Sequence, residues 1–159
     1  MTERLKVAVI GAGRLGRFHA QKFAHADGVD LIAVVDPVAA SRERVAAECG
    51  CRAMAEYADL FGQIDAAVVA SPTKTHHAIG MDLIEHGIHV LVEKPICASV
   101  READELVSAA ERRGVVLQVG HVERFNPAFC EALPCAVAPK YIEVLRAAPF
   151  TFRSTDVGV

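Results

Sequence analysis

Apolar residues along this chain fall into short unbroken runs separated by stretches of helical spacing. The runs at 7–10, 31–35, 66–70, 90–92 and 115–119 are rich in valine, isoleucine, leucine and alanine. Unbroken hydrophobicity, as opposed to alternation, suits a strand whose sheet is covered on both faces, so each run predicts a buried parallel strand. Between them, residues 15–26, 39–49, 75–86 and 100–113 have helical spacing. Gly50, Gly87 and Gly114 stand just past three of these segments, where a left-handed residue ends a helix. Ser99, with Glu102 three residues on, forms a capping box before the last one. The piece at 51–54 adds a short strand and 58–62 a helical turn. Alternating β and α segments with brief connections predict an α/β fold, a doubly wound parallel sheet with right-handed crossovers.

From Arg124 the pattern changes. Phe125-Asn126-Pro127 introduces a short helix ending at Cys130 or Leu133, and prolines at 134 and 139 then break the chain. Residues 141–146 alternate like a strand with one buried face, and only 150–152 follow to pair with it. The expected division is a complete α/β unit over 1–122, followed at 123–159 by a linking helix and the first strand of an incomplete second domain.

The first strand runs into Gly11-Ala12-Gly13-Arg14-Leu15-Gly16, and the second ends at Asp36, twenty residues beyond Gly16. This order of strand, glycine turn, helix, strand and carboxylate is the one that holds a dinucleotide. Gly11 permits the tight turn, Gly13 lets the backbone approach a pyrophosphate, and Gly16 lets the helix pack closely on the strand. Arg14 and Leu15 fall in the first helical turn, whose free amides favour an anion. Asp36 would accept the adenosine ribose hydroxyls and repel a 2′-phosphate, which favours NAD over NADP. Arg42 and Arg44 follow on the next helix, where a solvated face is the plain expectation.

Bulk properties narrow the partners. The 159 residues suffice for one domain with an ordinary core, and the net charge of −3 has no long single-sign run. Neither nucleic acid nor an anionic membrane is indicated, and no apolar run spans a bilayer. The first strand begins almost at the N-terminus, leaving no room for a secretory signal. Five cysteines with no CxxC pair point to reduced thiols and a cytoplasmic setting. Cys49-Gly50-Cys51 has no matching second half, and His76, His77 and His121 lack ligand spacing, so no metal site is expected.

Three strand ends carry candidate chemistry. Glu93-Lys94-Pro95 closes the run at 90–92, at the carboxyl edge where open α/β sheets bind ligands. Pro95 holds Lys94 extended and admits a cis bond. Beside a nicotinamide, Lys94 could serve as a general base; a surface ion pair is the plain alternative. Ser71-Pro72-Thr73-Lys74-Thr75-His76 follows another strand, with Thr75 read as a helix N-cap. Gly120-His121-Val122-Glu123-Arg124-Phe125-Asn126-Pro127 follows the last.

In order and spacing these elements resemble the glucose–fructose oxidoreductase/inositol dehydrogenase (Gfo/Idh/MocA) family over nearly all of the chain. The resemblance implies an NAD- or NADP-dependent oxidoreductase acting on a sugar, cyclitol or nucleotide sugar. It implies that Lys94 lies near the nicotinamide and the reacting hydroxyl, Glu93 beside it at the cofactor, and Ser71, Thr73 and His76 on the nicotinamide side. Arg124 and Asn126 are the expected substrate or domain-interface contacts. The wording from Gly120 to Pro127 is most similar to bacterial nucleotide-sugar 3-dehydrogenases that oxidise a UDP-N-acetylhexosamine or its uronate. Family members run to about twice this length, with a second, mainly antiparallel domain that supplies much of the sugar site and the subunit interface. The resemblance therefore also implies a truncated chain, homo-oligomeric in its full-length form. The alternative is an NAD-binding module without turnover of its own.

Overall fold

The computed structural model describes residues 4–145 and Ala147. Two compact units divide between Gly120 and His121.

In the first unit, six strands form one parallel sheet: β1 (Leu5–Ile10), β2 (Val29–Val35), β3 (Arg52–Met54), β4 (Ala66–Val69), β5 (His89–Val92) and β6 (Leu117–Val119). Their order is β3-β2-β1-β4-β5-β6, so the chain works outward from β1 in one direction and then crosses to build the other half. That reversal between β1 and β4 is the switch point at which such sheets open a ligand crevice. The helices are α1 (Arg14–Phe23), α2 (Ala39–Cys49), α3 (Thr73–Glu85) and α4 (Val100–Arg113).

Side-chain parity assigns the helices to faces. Ala8, Ile10, Val35, Val69, Val90 and Val92 pack with Leu83, Ile84 and Leu106 of α3 and α4. Val9, Val34 and Val68 pack with Ala20 and Val45 of α1 and α2. Adjacent strand residues alternate between these two cores, as the period of two requires. Fully burying each of these valines, leucines and isoleucines contributes about 1.5–3 kcal/mol, which is why unbroken apolar runs are retained.

The strands also stop in register. Ile10 stands opposite Val35 and Val69, Val69 opposite Val92, and Val92 opposite Val119. One step beyond this row the ladder continues: Gly11 N–H donates to Val35 O, Ala70 to Ile10 O, Glu93 to Val69 O and Gly120 to Val92 O. The carboxyl edge of the sheet is thus a single line running from Asp36 through Gly11, Ala70 and Glu93 to Gly120.

The expected elements are all present in this unit, with shifted ends. Helix α1 stops at Phe23 and does not reach Ala26, and β6 begins at Leu117. Helix α3 starts at Thr73, so Thr75 is not its N-cap; Pro72 occupies that position, and the Thr75 hydroxyl donates back to Pro72 O at 2.7 Å. The capping box at Ser99 and Glu102 is formed on both sides.

The second unit contains a 3-10 turn at Val122–Phe125, helix α5 (Pro127–Ala132) and a further 3-10 turn at Leu133–Cys135. Residues 141–145, expected to form a strand, have no regular structure; they gain no ladder partner among the described residues, and a strand without one leaves its backbone groups unpaired. Arg146 and the pairing candidate 150–152 lie outside the described residues. No helix among the described residues is long and apolar enough to cross a membrane.

Candidate functional site

The edge line begins with the glycine turn. Gly11 has φ of +105°, and a Cβ there would stand 2.5 Å from Ala70 O. No L side chain fits both conditions, so this turn requires glycine. A Cβ on Gly16 would stand 1.7 Å from Gly11 O. Gly16 therefore sits against the carbonyl of the turn, with Val9 Cγ1 of β1 at 3.5 Å from the same position. Gly13 differs from both: nothing lies within 4 Å of its Cβ position. It is the N-cap of α1, with no side chain filling that role, and Arg14 and Leu15 are exposed in the first turn. Open space at a helix N-terminus, bounded by glycines that the backbone demands, suits the pyrophosphate of a dinucleotide.

Asp36 directly follows β2, beside this turn. Its Oδ2 accepts from Ala12 N–H at 2.7 Å and its Oδ1 from Val38 N–H at 2.8 Å. A carboxylate has about four acceptor positions, so both oxygens retain capacity for ribose hydroxyls. Arg42, expected on a solvated face, instead donates to the carbonyls of Asp36 and Pro37, both at 3.1 Å. Arg44 is exposed as expected.

Beyond β5, parity separates Glu93 from Lys94. Leu91 packs toward the α1 core, so Glu93, two residues on, faces the same way. Glu93 is only 5% exposed. Its Oε1 accepts from His19 Nε2 at 2.7 Å, and its Oε2 from Lys94 N–H at 3.2 Å. Gly120 makes room for it: a Cβ there would stand 2.9 Å from Glu93 Cδ. Lys94 is exposed and is joined to Pro95 by a cis peptide bond. Both residues are expected at the crevice; Glu93 is buried there and Lys94 exposed.

Polar groups are buried after β4 as well. His76 is 1% exposed, with Nε2 at 2.8 Å from Ser71 O and Nδ1 at 3.0 Å from Pro95 O. It bridges the loops that follow β4 and β5. Thr73 is buried as well, while Ser71, partly buried, shares a 2.7 Å hydrogen bond with Thr75 Oγ1. In the second unit, Asn126 serves as the N-cap of α5, accepting from Ala128 N–H at 3.0 Å and donating to Glu123 at 2.9 Å. Arg124 is exposed in the preceding turn. Among the described residues, no three His, Cys, Asp or Glu side chains gather where a metal could be held.

His19 was missed by the sequence reading. The signal for it was present: it lies three residues after Gly16 on the inner stripe of α1, and Glu93 has the parity of Leu91.

A doubly wound parallel sheet with a glycine turn and an acid-tipped second strand at its switch point defines a dinucleotide-binding domain. Residues 5–121 match the oxidoreductase family with an NAD-binding Rossmann fold, and the chain belongs to that Gfo/Idh/MocA family. The UDP-N-acetylglucosamine 3-dehydrogenase of Acidithiobacillus ferrooxidans is 40% identical over 156 residues, covering 98% of this chain and 49% of its own length. Its solved structure superposes with a TM-score of 0.78 at 39% identity, over 83% of this chain and 43% of that one. The scyllo-inositol 2-dehydrogenase (NAD(+)) of Bacillus subtilis is 35% identical over 136 residues, 83% of this chain and 40% of its own. GenD2 from gentamicin A biosynthesis, solved in complex with NAD, gives a TM-score of 0.83 at 36% identity, over 87% of this chain and 40% of that one. The chain thus spans about half the length of the relatives it matches.

Proposed function

We propose that this chain forms the cofactor half of an NAD-dependent dehydrogenase that oxidises a secondary hydroxyl of a sugar or nucleotide sugar, such as a UDP-N-acetylhexosamine. The observation that carries the reading is the edge line itself, from Asp36 and the glycine turn to Glu93, with an exposed Lys94 one residue further. In this reading the α1 amides and Gly13 receive the pyrophosphate, and Asp36 receives the adenosine ribose. The Asp36 carboxylate disfavours a 2′-phosphate, and Arg42 is already engaged with backbone carbonyls, so NAD is preferred to NADP. NAD, when bound, supplies the hydride acceptor. Lys94 Nζ takes the hydroxyl proton as the alcohol carbon loses its C–H pair and becomes a carbonyl. Ser71, Thr73 and His76 shape the wall on the nicotinamide side, chiefly through backbone placement. Asn126 acts as a helix cap. The relatives that carry the reading include a nucleotide-sugar and an inositol dehydrogenase.

The test is Lys94→Met in a full-length version, followed by NADH formation with UDP-N-acetylglucosamine. Loss of a general base lowers turnover by about 10²–10⁴-fold, with NAD affinity little changed. Turnover equal to wild type would overturn the assignment.

The chain's half-length match to its relatives favours one second reading: the 159-residue polypeptide alone is a binding module without turnover. Steady NADH formation by that polypeptide would contradict it.

A further inference from the structure

We propose that His19 is a positioning residue for Lys94, acting through Glu93 to lock the strand end that bears the base onto the helix that cradles the cofactor. The inference rests on the reading of Lys94 as the base, and it adds a residue that neither the glycine motif nor the Glu-Lys-Pro element contains.

A carboxylate with 5% exposure is costly unless its oxygens are hydrogen-bonded. Here each oxygen has one partner, and the two partners come from different places. Oε1 takes His19 Nε2–H, from α1, and Oε2 takes Lys94 N–H, from its own loop. Gly120 closes the third side, where any Cβ would collide with the carboxylate. Glu93 therefore has one berth, and His19 is the only side chain seen holding it there among the described residues.

The sheet explains why this matters for placement. Helix α1 packs beside β1, and β5 lies two strands away across β4. His19 reaches over β4 to the end of β5, three residues after Gly16 has fixed the start of its helix against the turn. Any shift of the Lys94 backbone relative to the cofactor turn must stretch this bond. Base and cradle are thereby held in one frame, and errors of about 1 Å in such frames cost about 10²-fold in rate.

The experiment compares His19→Ala, His19→Gln, Lys94→Met and the His19→Ala/Lys94→Met double variant in a full-length version, with kcat and the KM for NAD measured separately. His19→Ala should lower kcat about tenfold or more while the KM for NAD stays within about threefold. His19→Gln, which keeps an N–H near the same place, should recover most of the loss. The double variant should be no slower than Lys94→Met, because His19 acts through that lysine. A second measurement needs no turnover: acetylation of Lys94 in the 159-residue chain, followed by mass spectrometry with Lys22 and Lys74 as internal references. His19→Ala should change the Lys94 rate at least threefold and leave the references unmoved. A normal kcat in His19→Ala, no recovery with Gln, additive losses in the double variant, or an unchanged Lys94 rate would each overturn the proposal. If Lys94→Met itself turns over normally, the proposed function fails, and that outcome is distinct from a failure of His19 alone.

Discussion

The carboxylate of Asp36 accepts the backbone N–H of Ala12 at 2.7 Å, so the acid that ends the second strand also fastens the glycine turn that ends the first. In the proposed function, cofactor choice and turn geometry therefore share one side chain. Asp36→Ala should weaken NAD binding about tenfold or more, since a charged hydrogen-bond acceptor is worth about 1.5–3 kcal/mol. It should also raise the NADP-to-NAD affinity ratio by removing the repulsion. Fluorescence titration with both reduced cofactors checks this, and an unchanged ratio would refute the role.

Two of the turn glycines should separate by experiment. Gly16→Ala places a methyl group 1.7 Å from Gly11 O and should destabilise the fold severely, beyond the about 1–3 kcal/mol of ordinary overpacking. Gly13→Ala meets no atom within 4 Å and should lose only about 1 kcal/mol as a poorer N-cap. Its NAD affinity should nevertheless fall sharply, because the methyl group occupies the open approach to the backbone. Urea denaturation and cofactor titration of the two variants read these effects separately.

His76 offers a test of bracing against lining. His76→Ala leaves the carbonyls of Ser71 and Pro95 without their imidazole partner and opens a buried space. A loss of about 2–4 kcal/mol in unfolding free energy is expected from these two causes together. A variant of wild-type stability with altered cofactor affinity would instead assign His76 to direct contact.

The Tyr57 hydroxyl donates to Asp82 at 2.6 Å, and burial, then that carboxylate, push its pKa up to about 12 from an ordinary 10. The folded state holds the phenolic proton more tightly than the unfolded state does. The resulting stability is fully present below pH 10 and is lost as pH rises toward 12. The stability difference between wild type and Tyr57→Phe should therefore shrink across that window. Cys51 and Cys97, both pushed up to about 11 by burial, titrate there in both proteins and cancel in the difference.

Much of the α/β unit was legible because buried parallel strands leave unbroken apolar runs, and Gly50 and Gly114 end their helices in the left-handed conformation expected of them. The tight turn at Gly11 was legible, but the Gly11 carbonyl that a Cβ on Gly16 would meet first was not. Backbone-to-backbone approach across a turn leaves no mark in side-chain pattern. His19 and Glu93 are 74 positions apart in sequence and meet because β1, β4 and β5 stop in register. His76 and Thr73 read as lining residues because strand-end polar groups commonly face a crevice. Here the start of α3 at Thr73 rotates both inward. Residues 141–145 have the alternation of a strand but no ladder partner among the described residues, and pattern alone does not supply one.

If the edge from Asp36 to Lys94 seats an adenine dinucleotide, titration calorimetry of NADH into the 159-residue chain will detect it. Saturable one-to-one binding that weakens at least tenfold in Gly13→Ala and in Asp36→Ala is the predicted result. A flat titration at millimolar NADH, or full-strength binding by both variants, would contradict it.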